Sequence, residues 1–250
     1  MKIVIFSDVH ITRASVDRTA LALRFLTDCC EDADMVVVLG DLFEFYHGYD
    51  GYIYPWYRSV TESLKKLVER RKQVYFLEGN HEFLMGDYYE RYTGIACRQE
   101  LVLEIEGKKI YIAHGDGFAA LSLARVLKHS FWYRIMDMLG PSLTWAMASL
   151  SRPFLSRSRK GYNEAVRNVF RGYARQKFTE GYDAVVLAHS HIPDAFEVSE
   201  NNSVKQYLNT GDLAQYGSFV TYETGSGFSL KKWGSAGNDY FLSLETTHTT

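Results

Sequence analysis

Two stretches of the chain, Val36-Val37-Val38-Leu39 and Val185-Val186-Leu187, are apolar at every position. A strand with one wet face alternates apolar and polar residues, whereas a strand that is apolar throughout is covered on both faces. These runs therefore point to strands held inside a layered structure. Further β-rich runs fall at residues 2–6, 74–77, 101–105, 110–113, 204–208, 218–222 and 227–231. Helical patterns occupy 17–29 and 57–71. In the second, Val60, Leu64, Leu67 and Val68 recur at helical spacing while Glu62, Lys65, Lys66 and Glu69 fill the other face. Glu106-Gly107-Lys108 reads as a tight hairpin turn. Strands and helices alternate early and antiparallel strands follow late, so the expected fold is a mixed-sheet α/β layered domain.

With 250 residues the chain has room for one large domain or two small ones. Its three cysteines, Cys29, Cys30 and Cys97, cannot build a disulfide framework and match no zinc spacing. The apolar run at the N-terminus ends at Ser7-Asp8, too short for a signal peptide. The longest uncharged apolar stretch, residues 138–151, is interrupted by Pro141 and falls short of the roughly 20 residues that span a bilayer. A cytoplasmic protein is expected, able to touch the membrane face peripherally. The formal net charge of −2 conceals an asymmetry. Residues 118–178 carry eleven Lys and Arg against only Asp137 and Glu164. This segment is read as a basic helical insertion into a single domain spanning 1–250, with Pro141 and Pro153 as breaks.

Residue types that bind metals sit just after strand ends at five places: Asp8-Val9-His10, Gly40-Asp41, Gly79-Asn80-His81-Glu82, His114-Gly115-Asp116 and His189-Ser190-His191. Ligands of open α/β sheets bind at the carboxyl ends of strands, where loops gather distant side chains on a rigid frame. Each cluster alone could be a turn or a capped loop. Five in this order argue for a site. His, Asp and Asn without Cys form a nitrogen and oxygen donor set suited to manganese, iron, zinc or magnesium. Asp8, His10, Asp41, Asn80, His114, His189 and His191 are too many ligands for one ion and suit two ions sharing a carboxylate. Alternate residues of an extended Asp8-x-His10 segment would point the same way. A kink at His189-x-His191 would let the two rings address different ions. His47, His129 and His248 are read as non-ligands, the last in a frayed tail.

The five-part set resembles the calcineurin-like metallophosphoesterases over residues 1–231. The resemblance implies a four-layer αββα sandwich binding two divalent metals, manganese being the expected one. It assigns Asp8, His10, Asp41 and His191 to one ion and Asp41, Asn80, His114 and His189 to the other. Within that family the chain looks most like the UDP-2,3-diacylglucosamine hydrolases of lipid A synthesis. The run Gly40-Asp41-Leu42-Phe43-Glu44-Phe45 and the basic insertion between the His114 and His189 motifs carry that likeness. Those enzymes cleave the pyrophosphate of UDP-2,3-diacylglucosamine to UMP and a lipid-linked sugar phosphate. In the best-known branch an Arg stands where this chain has His81.

Two ions about 3.5–4 Å apart can clamp an in-line displacement at phosphorus and supply a hydroxide as nucleophile. Asn80 and His189 are expected to touch substrate phosphate as well as metal, and His81 to protonate the leaving oxygen or, alternatively, to orient Asp41 or a loop carbonyl. Asp116 and Asp212 are candidates for fixing ligand imidazoles. Arg157, Ser158 and Lys160 are the chosen contacts to the nucleotide phosphates. Large apolar residues interleave with the cations of the insertion, which favours a lid over an acyl-lipid substrate at an anionic inner-membrane surface and disfavours nucleic acid. A plain helical hairpin with a solvated basic face is the simpler alternative. Another phosphodiester or nucleotide is the alternative substrate. The aromatic cluster from Phe43 to Tyr57 reads either as core or as a wall of the cleft.

Overall fold

A computed structural model of the chain describes residues 1–118, 128, 130–155, 164–200, 203–234 and 245–248. The first of two large mixed sheets runs β13 (Gly227–Lys232), β12 (Ser218–Glu223), β1 (Lys2–Phe6), β2 (Met35–Val38), β4 (Gln73–Leu77) and β6 (Ala96–Arg98). The second runs β14 (Glu245–His248), β10 (Asp194–Glu200), β11 (Ser203–Asn209), β9 (Ala184–Leu187), β8 (Lys108–Ala113) and β7 (Glu100–Ile105). A small parallel pair joins β3 (Tyr46–His47) to β5 (Glu82–Phe83). In the first sheet β1, β2, β4 and β6 are parallel, and in the second β8, β9 and β11 are parallel.

The period-2 geometry of strands divides the core into three slabs. Ile3, Ile5, Val37 and Leu39 face Ile110, Ile112, Val186 and Leu208 between the sheets. The alternate residues Val4, Phe6, Val36 and Val38 face the opposite way, against α1 (Val16–Phe25), α2 (Arg58–Glu69) and α3 (Gly86–Thr93). Val185 and Leu187, on the far side of the second sheet, meet Phe170, Ala174 and Phe178 of α5 (Glu164–Thr179). The order is helices, sheet, sheet, helix, a four-layer αββα sandwich. The uniformly apolar runs are apolar because each of their faces lies in a different slab. Burying one such Val or Leu is worth about 1.5–3 kcal/mol. The β7–β8 hairpin turns through Glu106 and Gly107 with φ of 51° and 73°. That is the left-handed pair a two-residue hairpin requires.

Several elements depart from the sequence reading. The tail around His248 is not frayed: β14 pairs in parallel with β10. The strand β10 is hidden in sequence by its acids and takes its register from β11. The helix α4 (Ser130–Leu155) kinks at Gly140, where φ is 74° and ψ is 169°, just before Pro141. Pro153 does not break it but lies within the helical span. The aromatic cluster is core: Phe43, Tyr46, Tyr54 and Tyr57 are buried against α2 and α3.

The same cluster seats α4. The Tyr49 hydroxyl donates to Thr144 Oγ1 at 2.7 Å, and His47 Nε2 lies 2.8 Å from Asp137 Oδ1. Trp145 packs at 4.7 Å between ring centroids on Trp56. The helix α5 is pinned by Arg171, whose guanidinium grips both oxygens of Asp194 at 2.8 and 2.7 Å. Two parallel N–H donors on one carboxylate give such a pair geometric specificity as well as strength.

Candidate metal centre

Six strands point their carboxyl ends at one place. Asp8 follows β1, Asp41 follows β2 and Asn80 follows β4; His114, His189 and Asp212 follow β8, β9 and β11. These are parallel strands of both sheets, so the place lies where the ends of the two sheets meet. The backbone is sharply bent there. Asp8, His10, Asp41, His189 and His191 have φ of 56°, 52°, 52°, 63° and 57°. The left-handed region is uncommon for residues with a Cβ and marks a conformation held by its surroundings. Asp8 and His10 therefore converge through a double bend, not along an extended segment. The bend at His189 and His191 sends the two rings into different groups.

Gly40 and Gly79 make the close approach possible. A Cβ on Gly79 would stand 2.2 Å from Asp41 Oδ1, and one on Gly40 2.5 Å from His114 Nδ1. No side chain fits at either position.

Three groups of donors result among the described residues, of which His10, Glu44 and His81 form one that shares His10 with the first of the two groups at the centre. Asp8, His10 and His191 place one ligand atom each within 4.8 Å of one another, and so do Asp41, His114 and His189. His191 Nε2 lies 3.3 Å and His10 Nε2 3.7 Å from Asp8 Oδ1. Asp41 Oδ2 stands between the groups, 3.7 Å from His10 Nε2 and 3.5 Å from His114 Nε2. Asn80 Oδ1 is 3.4 Å from His114 Nε2. Ligand atoms each about 2.1 Å from one tetrahedral ion stand about 3.4 Å apart, so these separations suit donors around a cation.

Each carboxylate spends one oxygen on the scaffold and keeps the other for the centre. Asp8 Oδ2 accepts from Ser7 Oγ at 2.5 Å and from the His189 N–H at 3.3 Å, while its Oδ1 is buried without a hydrogen-bond partner. Asp41 Oδ1 accepts the His81 N–H at 3.0 Å, leaving Oδ2 toward the imidazoles. His189 Nδ1 is likewise buried without a partner. Buried polar atoms in that state are costly unless something else satisfies them.

Electrostatics point the same way. Burial pushes the Asp8 carboxyl up, but His191 and His10 outweigh it and bring it down to about 2. Asp41 is held well below the carboxylate range by His81 and His114, again against its burial. Burial would lower His114, yet Asp41 carries it up to about 10. The paired carboxylates demand a positive charge. Burial and then His114 hold His189 down at about 4, so its ring is a neutral donor. The residues present fit a pair of divalent ions.

The distal ring nitrogens are also tied. His114 Nδ1 bonds the Leu39 carbonyl at 2.8 Å, and His191 Nδ1 bonds Asp212 Oδ2 at 2.6 Å. Of the two acids expected to orient imidazoles, Asp212 does so. Asp116 instead pairs with Lys128 at 3.4 Å, because that lysine reaches the Gly79 carbonyl beside it. His81 Nδ1 bonds the Glu44 carbonyl at 2.6 Å and its Nε2 lies 3.8 Å from Asp41 Oδ2. Arg157, Ser158, Lys160 and His129 lie outside the described residues.

The sequence reading gave no role to Glu82. Its buried carboxylate accepts the N–H groups of Asp41 and Gly79, both at 2.9 Å, and of Phe43 at 3.1 Å. It thus clasps the second and third motif loops together. Burial and then the Asp41 charge push its pKa up to about 8. Its place as the last residue of the Gly79-Asn80-His81-Glu82 motif was the signal the sequence held.

The sequence profile of calcineurin-like phosphoesterases matches residues 1–193. The chain belongs to the calcineurin-like phosphoesterase family. Among the phosphoesterases similar to it is the UDP-2,3-diacylglucosamine hydrolase of Photorhabdus laumondii, 30% identical over 77% of this chain and 82% of that protein. The UDP-2,3-diacylglucosamine hydrolase of Blochmanniella pennsylvanica is 30% identical over 88% of this chain and 91% of that protein. A solved phosphoesterase from E. coli covers 93% of this chain and 93% of its own at 16% identity, with a TM-score of 0.45.

Proposed function

We propose that this phosphoesterase hydrolyses the pyrophosphate of UDP-2,3-diacylglucosamine to UMP and 2,3-diacylglucosamine 1-phosphate. The observation that carries the reading is the pair of donor groups sharing Asp41 at the strand ends, in a chain whose relatives bear that name. Asp8, His10, Asp41 and His191 would hold one ion, and Asp41, Asn80, His114 and His189 the other. Two divalent ions, with manganese the proposed pair, supply Lewis acidity and lower the pKa of water.

The chain's own residues supply the rest. The Asn80 side-chain amide and the His189 ring face the phosphate oxygens. His81 keeps its Nδ1–H on the Glu44 carbonyl, which turns Nε2 toward the Asp41 side of the centre; burial lowers its pKa and the Asp41 charge opposes this, and in its protonated form the ring would give the Nε2 proton to the leaving oxygen. Lys128 adds positive charge beside the Asn80 loop, and Arg157, Ser158 and Lys160 are proposed to hold the nucleotide phosphates.

The helix α4 supports an acylated substrate. Phe131 and Met138 on its first half, and Leu143, Met147 and Leu150 on its second, follow helical spacing and are exposed. Among the described residues no helix is long and apolar enough to cross a membrane. An exposed apolar face beside cations suits acyl chains and the cytoplasmic face of the inner membrane. Purified protein with Mn²⁺ should release UMP from the intact substrate. No release there, with turnover of another diester or a nucleotide, would overturn the substrate.

A further inference from the structure

The two donor groups are braced differently. In the first, both imidazoles have a carboxylate at their distal nitrogen. Asp212 Oδ2 lies 2.6 Å from His191 Nδ1, and Glu44 Oε2 lies 3.5 Å from His10 Nδ1. The two braced rings stack, with centroids 5.1 Å apart and planes 12° from parallel. In the second group His114 has only the neutral Leu39 carbonyl at its distal nitrogen, at 2.8 Å.

Charge divides the groups in the same sense. Asp8 and Asp41 both face the first group, whereas the second shares Asp41 and adds the neutral amide of Asn80. Asp116, a further acid whose charge reaches His114 and His189, is paired with Lys128. A carboxylate on the far nitrogen fixes ring orientation and makes an imidazole a stronger donor, and removing such a partner weakens metal binding about 10- to 100-fold.

We propose that Glu44 and Asp212 are positioning residues that make the Asp8, His10, Asp41 and His191 group the tighter of two metal sites. That site fills first, and the group containing Asn80, His114 and His189 exchanges its ion more readily. The inference rests on the two-ion reading above.

The test is equilibrium dialysis of the protein against buffered Mn²⁺ at stepped concentrations, counting bound metal per chain. The native protein should fill in two separated steps. Glu44→Gln and Asp212→Asn, each close in shape to the residue replaced, should raise the midpoint of the tighter step about 10- to 100-fold and move the weaker step less. Asn80→Ala should delete the weaker step alone. Melting of each metal-free variant checks that it folds, and either of the two isosteric variants suffices for the conclusion. Coincident steps in the native protein would overturn the proposal, as would a tighter midpoint indifferent to the substitutions. UMP release from the same samples keeps the two readings apart. Two equal sites with UMP release sink only the ranking, and two unequal sites without it sink only the substrate.

Discussion

The strand-end centre and the outer face of α4 invert the usual partition of residues in opposite ways. At the centre, Asp8, Asp41, His10 and His114 are buried, each braced by the scaffold. On α4, Met138 is 87% and Leu150 75% exposed. Burying charge is unfavourable unless it is paired, and large apolar side chains left in water gain from an apolar partner. The centre therefore fits an occupant that is positively charged and the helix an occupant that is apolar. An anionic lipid bound through metals meets both.

The largest effect that could break this contrast is at the bridging carboxylate. Asp41→Ala should abolish turnover and leave the protein unable to retain metal, read by metal analysis beside the assay. Retention of both ions would remove Asp41 from its place between the groups. His81→Ala should keep the metal content and slow turnover about 10²- to 10⁴-fold, the usual contribution of a positioned acid. Unchanged rate would reduce His81 to its bond with Glu44. Chelation should lower the melting temperature, since a ligand present at about 100 times its Kd adds roughly 2.7 kcal/mol. On the other side, Met138→Glu with Leu150→Glu should raise KM for the diacyl substrate while leaving hydrolysis of a water-soluble diester intact. An equal loss on both substrates would show that the α4 face serves folding and not acyl recognition. The smallest effect is expected for Tyr49→Phe, which removes the hydroxyl bonded to Thr144 and should cost about 1 kcal/mol in denaturant unfolding.

Much of the centre was legible before folding because the motifs are local. Asp8, Asp41, Asn80, His114 and His189 each follow an apolar run, and a strand that ends in a loop presents its next residues at the sheet edge. The route by which they meet was not legible. The left-handed bends at Asp8, His10, Asp41, His189 and His191 are held by neighbours far away in sequence, such as the Gly40 carbonyl that accepts the Asp8 N–H at 3.1 Å. The clasp made by Glu82 and the pairing of Asp116 with Lys128 were equally hidden, since an acid in a motif does not announce its partner.

The basic segment makes the boundary plain. Its composition alone announced helices rich in cations and large apolar residues. It could not divide them, because charge and periodicity do not say what a helix packs against. In three dimensions α5 covers the second sheet as the fourth layer through Phe170, Ala174 and Phe178. The helix α4 rests on the aromatic cluster after Asp41 and leaves Met138 and Leu150 in water. The positions of the strands along the chain and the metal-binding residue types are written in the sequence because they depend on near neighbours. Which carboxylate braces which imidazole, and which helix is core, depend on contacts between distant segments, and only the packed sandwich decides them.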